Sequence, residues 1–190
     1  MELGWKSEVL RKMGIEWITL SRDEWIILLL GLDGRAPIVG EHVFHTVFFL
    51  YPFSPFDVKP LFLTPFSPEI YALLRRLGEE GIIEKGAEIV KGEFVDIYSL
   101  TDRGLSRYRD IMRRGKNRWV LLKGFVAKPF TQVAEELEAL KRTYNGRSPK
   151  SILKVLLNKA RSEDPVLMAQ LGERSIEFLR LLIRYGASAL

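Results

Sequence analysis

The stretch 67–100, "SPEIYALLRRLGEEGIIEKGAEIVKGEFVDIYSL", leaves few folds open. Ser67 followed by Pro68 reads as a helix N-cap with proline in the first helical position, where the missing N–H is unpaired in any case. Ile70, Leu73, Leu74 and Leu77 then fall at i, i+3, i+4 and i+7, a single buried stripe. The opposite face carries Ala72, Arg75, Arg76 and Glu79, with Tyr71 on its flank, and Gly81 ends the helix. Two β-rich runs follow, 82–85 and 94–100, which predict a hairpin with a long tip containing Gly86 and Gly92. Thr101 caps the next helix, "TDRGLSRYRDIMRR", whose Leu105, Tyr108 and Met112 share a side.

Upstream, residues 2–13 read as a short amphipathic helix, and Ser21 with Glu24 is a capping box opening an apolar helix over 22–32. "GLDGRAPIVG" reads as a tight loop, and a second helix spans 41–51. "PFSPFDVKPLFLTPFSP" holds five prolines in 17 residues, which predicts an ordered loop with extended pieces. Beyond Gly115 the pattern predicts helices throughout, with "NRWVLLKGFVAKPF" ambiguous and "FTQVAEELEALKRTY", "SPKSILKVLLNKA" and "SIEFLRLLIRYG" each carrying a helical period. The expected class is therefore mainly α with a small β-hairpin (α+β): one domain over 1–115 and a helical C-terminal region over 116–190.

Helix, helix, helix, hairpin, helix is the order of a winged helix-turn-helix. "LLLGLDGRAPIVGEHVFHTVFFLY", "TPFSPEIYALLRRLGEEGIIEK" and "IYSLTDRG" together resemble the small prokaryotic winged-helix proteins of the YwgA-like kind. They are similar, more distantly, to the Panacea antitoxin domain. The matching residues are Phe49-Leu50, Pro65-Phe66-Ser67, Leu77 with Gly81-Ile82-Ile83, and Tyr98-Ser99-Leu100-Thr101-Asp102-Arg103-Gly104. Thr46 and Val47 stand where that group usually carries a lysine before the Phe-Leu. The resemblance covers about residues 20–112 and implies a winged helix-turn-helix; it says little about the ligand and nothing about 116–190.

Charge is unevenly spread along the chain. Residues 1–100 carry 10 Lys and Arg against 15 Asp and Glu, whereas 101–128 carry 9 against 2. A basic span of that density suits phosphate binding, because neutralising phosphates releases counterions. It equally suits a solvated cationic face or an acidic partner. Read as a DNA-binding protein, the chain would set the helix 68–80 in the major groove, with Ser67, Tyr71, Arg75 and Arg76 toward the duplex. Lys91 of the wing and Arg103, Arg107, Arg114 and Arg118 of the basic span would meet phosphates. The same helix face could instead be a dimer surface, and Glu88 and Glu93 make the wing acidic for gripping DNA. A transcriptional regulator bound to double-stranded DNA is the first expectation; an antitoxin-like or scaffold-like module holding a protein partner is the second.

His42 and His45 have a metal-capable spacing beside Glu41, but there is no third histidine and no cysteine to complete a zinc site. No Gly-rich phosphate loop, GxSxG motif or cysteine nucleophile points to catalysis, so neither an enzyme nor a cofactor is expected. The lack of cysteine suits a reducing cytoplasm, and scarce Asn and Gln with abundant Arg, Lys and Glu lean toward a thermophile. The longest apolar runs, 25–30 and 47–51, are too short to span a membrane, and no stretch has a signal-peptide layout. The C-terminal stripes Val133, Leu137, Leu140; Ile152, Leu153, Leu156, Leu157; and Ile176, Leu179, Leu182, Ile183 are apolar on short helices. They predict a homodimer with part of its interface in 130–190; packing within one chain is the alternative.

Overall fold

The computed structural model describes residues 4–171 except 62, 63, 91, 124 and 125, together with 176, 177 and 180. Helix α2 (Arg22–Gly31) is its axis. Every residue from Trp25 to Gly31 is buried, and a helix apolar on all sides has to be surrounded. The predicted capping box starts it: Ser21 Oγ accepts the Glu24 N–H, and the Glu24 carboxylate accepts the Ser21 N–H. Helices α4 (Pro68–Glu79), α5 (Asp102–Gly115) and α6 (Phe130–Tyr144) pack against it, and α3 (Glu41–Leu50) packs on α4 and α6. Helices α1 (Gly4–Lys12), α7 (Pro149–Arg161) and α8 (Pro165–Gln170) and a short 3-10 turn over Asp33–Arg35 lie elsewhere along the chain.

The far end of α2 has a cap that sequence reasoning missed. Lys141 of α6 is fully buried, and its ammonium donates to the carbonyls of Leu30 (2.9 Å) and Leu32 (2.8 Å). These belong to the carbonyls that a helix end leaves without intrahelical partners, and a cation there also meets the negative end of the dipole. Burial pushes the Lys141 ammonium down to about 8, against the raising influence of Asp33 and Glu138.

Strands β5 (Ile83–Val90) and β6 (Glu93–Leu100) form an antiparallel ladder without a break, from Ile83↔Leu100 to Val90↔Glu93. The long tip expected from the sequence is therefore a two-residue turn. Gly92 has the positive φ of +84° that a tight turn demands, whereas Gly86 sits within the ladder and does not interrupt it. Strand β2 (Ile38–Val39) joins the other side of β6, so "GLDGRAPIVG" is more than a tight loop. Its outer edge is closed by Asn145, whose Oδ1 accepts the Val39 N–H and whose Nδ2 donates to the Pro37 carbonyl, both at 2.8 Å.

The expectation of helices throughout after Gly115 is also corrected. Strands β7 (Trp119–Leu121) and β8 (Ala127–Pro129) form a hairpin, and β1 (Trp17–Ile18) pairs parallel to β7. Strands this short carry no readable period, and β1 and β7 lie about a hundred residues apart. Within the proline-rich stretch, β3 (Lys59–Leu61) and β4 (Thr64–Phe66) are the extended pieces.

One buried cluster runs from Ile26 and Phe44 through Val133 and Leu137 to Ile152, Leu156 and Leu157. Leu140 and Leu153 are partly buried against it. The stripes from which a dimer was inferred in α6 and α7 are thus covered by the chain's own core. Most of the third stripe falls outside the described residues; Ile176, which is described, also packs on this core.

The Leu-Thr-x-x-Gly segment of the motif has a steric reason. Thr101 Oγ1 accepts the Gly104 N–H at 3.1 Å, capping α5, and donates to the Gly81 carbonyl at 2.7 Å. This draws the first turn of α5 onto the junction of α4 and β5. A Cβ at position 104 would lie 2.1 Å from the Ile82 carbonyl oxygen, so only glycine fits.

Candidate nucleic-acid interface

Ser67 stands at the N-cap of α4 but is fully buried, and its side chain makes no capping bond. Its N–H donates to His45 Nδ1 at 3.2 Å, while its Oγ has no hydrogen-bond partner among the described residues. It cannot reach a duplex, which corrects its place among the expected contacts. Because Nδ1 accepts, the imidazole proton sits on Nε2, aimed at Glu41 Oε1 at 3.4 Å. The other Glu41 oxygen accepts the Tyr98 hydroxyl at 3.1 Å. The His45 hydrogen bond is the main cause holding the Glu41 carboxyl below its usual range, and burial, then the Glu41 carboxylate, raise Tyr98. Serine, histidine and glutamate adjoin here, yet the serine hydroxyl does not meet the imidazole. The arrangement positions α3, α4 and β6 rather than a nucleophile. His42 turns away, its Nε2 lying 2.8 Å from the Arg147 carbonyl.

The open face of α4 carries Tyr71, half-exposed, with Arg75 and Arg76. Arg75 pairs with Glu79 at 3.0 Å. Arg76 reaches Asp23 at 2.5 Å and Glu80 at 3.1 Å. Arg107 approaches the same Glu80 at 4.0 Å, and Arg103 donates to the Glu80 carbonyl at 2.8 Å. Arg114 pairs with Glu24 and, at 3.0 Å, with Asp110; Arg118 pairs with Glu16 at 2.8 Å. Arg22 bonds Glu69 at the start of α4. The first turn of α2 is therefore a hub: Arg22 and Asp23 hold the two ends of α4, and Glu24 holds the end of α5.

Of the cations expected from the sequence, Arg76, Arg103 and Arg107 gather around Glu80, while Arg114 reaches Glu24 and Arg118 reaches Glu16. What sequence reasoning missed is the acids that come to them, since Asp23 is 53 residues from Arg76 and Glu24 is 90 from Arg114. Exposed pairs of this kind each contribute only about 0–1 kcal/mol.

The hairpin offers different chemistry. Lys85 pairs with Asp96 at 2.8 Å, and that hydrogen bond is the first cause raising its ammonium pKa. Ile89 and Phe94 face each other across the strands near the turn, 66% and 83% exposed. Lys91 lies outside the described residues.

Among the described residues no three His, Cys, Asp or Glu gather as a metal site, and no helix is long and apolar enough to cross a membrane. Compared with known protein families, curated proteins and solved structures, the chain matches none of them.

Proposed function

We propose that this chain is a winged-helix protein that binds double-stranded DNA and serves as a cytoplasmic transcriptional regulator. One observation carries the reading: α4 leaves Tyr71, Arg75 and Arg76 open to solvent within the order α2, β2, α3, α4, β5, β6. Apart from the β3–β4 pair between α3 and α4, this order is that of a winged helix-turn-helix, the fold that the resemblance to the YwgA-like group implies. In such a protein the third helix enters the major groove, where arginine pairs bidentately with guanine. Arg103 and Arg107, gathered around Glu80, are placed for the flanking phosphates. The carboxylate partners of Arg75, Arg76 and Arg107 are no barrier, since a phosphate can replace a solvent-accessible carboxylate at little net cost. The same carboxylates weaken the long-range attraction, so binding is modest and falls about tenfold or more from 50 to 200 mM salt. An electrophoretic shift on a mixed duplex pool at low salt tests the reading. Retardation that Arg75→Ala with Arg76→Ala abolishes supports it, and no retardation at all sinks it. Palindrome recognition favours a homodimer, whose interface must lie away from the buried stripes of α6 and α7. Light scattering reads that state as about twice the chain mass of 21.9 kDa.

A second reading, a module that holds another protein, is favoured by the exposed Ile89–Phe94 pair beside the exposed Glu88. A stoichiometric protein partner that survives nuclease treatment, and is lost with Phe94→Ser, supports this reading over the first.

A further inference from the structure

At the C-terminal end of α5 the chain turns sharply into β7. Asn117 takes a positive φ of 61° there, and its neighbours form the wall of an open hollow of about 780 Å³. Four cations line it, Arg113, Arg114, Lys116 and Arg118, against a single carboxylate, Glu16. A second hollow of about 730 Å³ adjoins it, sharing Ile15, Glu16 and Arg118.

The two hollows meet along the parallel ladder of β1 and β7. Trp17 is directly opposite Trp119, and Ile18 opposite Val120. Successive side chains of a strand point to opposite faces. Ile18 and Val120 are buried, so the two tryptophans share the outer face, where both are half-buried. Trp119 lines the first hollow and Trp17 the second. Indole rings and cations thus stand side by side in one cleft.

Two of the cations here, Lys116 and Arg113, are also more available than Arg76 and Arg114 beside α2. Lys116 is exposed, with no ion pair among the described residues. Arg113 is 81% exposed and, among the described residues, pairs only with Asp110, on its own helix. Glu16, the partner of Arg118, is itself 71% exposed.

We propose that this cleft binds a nucleoside phosphate, its phosphate on Lys116, Arg118 and Arg113 and its base against Trp119. The cationic wall selects an anion, and arginine with lysine suits phosphate oxygens. The indole adds an aromatic ring to what the ligand must carry, because bases stack on tryptophan and an inorganic anion does not. A base inside a duplex is already covered on both faces. The ligand is therefore a free nucleotide or a nucleotide unit of a single strand, and the site does not depend on duplex binding by α4. The volume lies within the range of small-molecule sites.

Calorimetric titration of the full chain with ATP, tripolyphosphate and a twelve-residue oligodeoxyadenylate tests this. ATP is expected to bind below about 1 mM and more tightly than tripolyphosphate. Trp119→Leu should weaken ATP by at least about fivefold while leaving tripolyphosphate unchanged. Lys116→Glu, at an exposed position that the fold does not need, should weaken both. An oligomer much tighter than ATP identifies a single strand as the source of the nucleotide; equal affinity identifies a free nucleotide. No binding of ATP or oligomer at millimolar concentration overturns the proposal. So does tripolyphosphate binding as tightly as ATP, or ATP binding that Lys116→Glu does not change. Arg75→Ala with Arg76→Ala should leave ATP binding as it was, which separates this site from the duplex-binding reading.

Discussion

The two ends of α2 meet the same problem, unpaired backbone groups and a helix dipole, and solve it in opposite ways. At the N-terminal end the solution is open to solvent and redundant: a serine cap with Asp23 and Glu24 at the positive end of the dipole, both of which, like Arg22, also reach another helix. At the C-terminal end it is buried and single, one ammonium on two carbonyls. Exposed pairs exchange partners with water, salt or phosphate and contribute little each. A buried cation cannot exchange, and removing it strips the Leu30 carbonyl of its donor and leaves the Leu32 carbonyl with the Arg35 N–H alone. The first end can therefore take part in binding, while the second can only hold the fold.

The largest effect should come from the buried end. Lys141→Ala removes both hydrogen bonds and leaves a cavity, and is expected to cost roughly 3 kcal/mol in urea denaturation. Lys141→Met keeps the stem of the side chain and should lose less. A loss under about 0.5 kcal/mol in the alanine variant would show that water reaches the carbonyls and that the two ends are alike.

The depressed Lys141 pKa gives the next test. The folded chain releases this proton near pH 8, while an unfolded lysine holds it to about 10.5. Between those values the unfolded state binds more protons, so stability rises with pH, by up to about 1.4 kcal/mol per unit. Above pH 10 the sign reverses. Burial raises Tyr98, Tyr108 and Tyr144, which stay protonated in the fold while the unfolded chain ionises. Urea midpoints across pH 7–11 should therefore peak near 10, and the rise should vanish in Lys141→Met.

Sequence and structure agree at one end of α2 and part at the other, for a physical reason. The capping box is local, four residues within one turn, so its chemistry was legible. The same holds for the stripe of α4 and for the pattern Tyr98 to Gly104, whose glycine is demanded by the nearby Ile82 carbonyl. Lys141 was illegible because its partners are carbonyls 111 and 109 residues away, which no side-chain pattern announces. The β1–β7 ladder was missed likewise, and with it the cleft that joins Trp17 to Trp119. Basic residues were visible as a dense span, but their carboxylate partners come from other helices. Arg75, Arg76, Arg107 and Arg114 could be named as cations without being known as paired ones.

A middle effect belongs to the cap itself. Ser21→Ala removes the acceptor for the Glu24 N–H and should lower stability by about 1 kcal/mol. A value as large as that of Lys141→Ala would mean that the exposed end is not redundant, and the contrast between the two ends would fail.

The smallest stability effect is expected at Asp23, and there the comparison meets function. Asp23→Asn removes the 2.5 Å pair with Arg76 and one acidic group from the first turn of α2. Arg76 is half-exposed and keeps Glu80 at 3.1 Å, so the loss should stay below about 1 kcal/mol and shrink further in high salt. Binding should move the other way. If α4 lies in a major groove, Asp23 stands beside phosphates and competes with them for Arg76. Neutralising it removes a repulsion and releases the guanidinium, so affinity for a duplex pool should rise about two- to fivefold at 50 mM salt. The gain should fade by 200 mM, where screening already weakens the carboxylate. Fluorescence anisotropy of a labelled duplex, run beside urea denaturation of the same preparation, reads both quantities. Weaker binding by a fully stable Asp23→Asn chain would mean that the aspartate aims Arg76 rather than restrains it. The exposed end of α2 would then be a positioning device, as fixed in its geometry as the buried one.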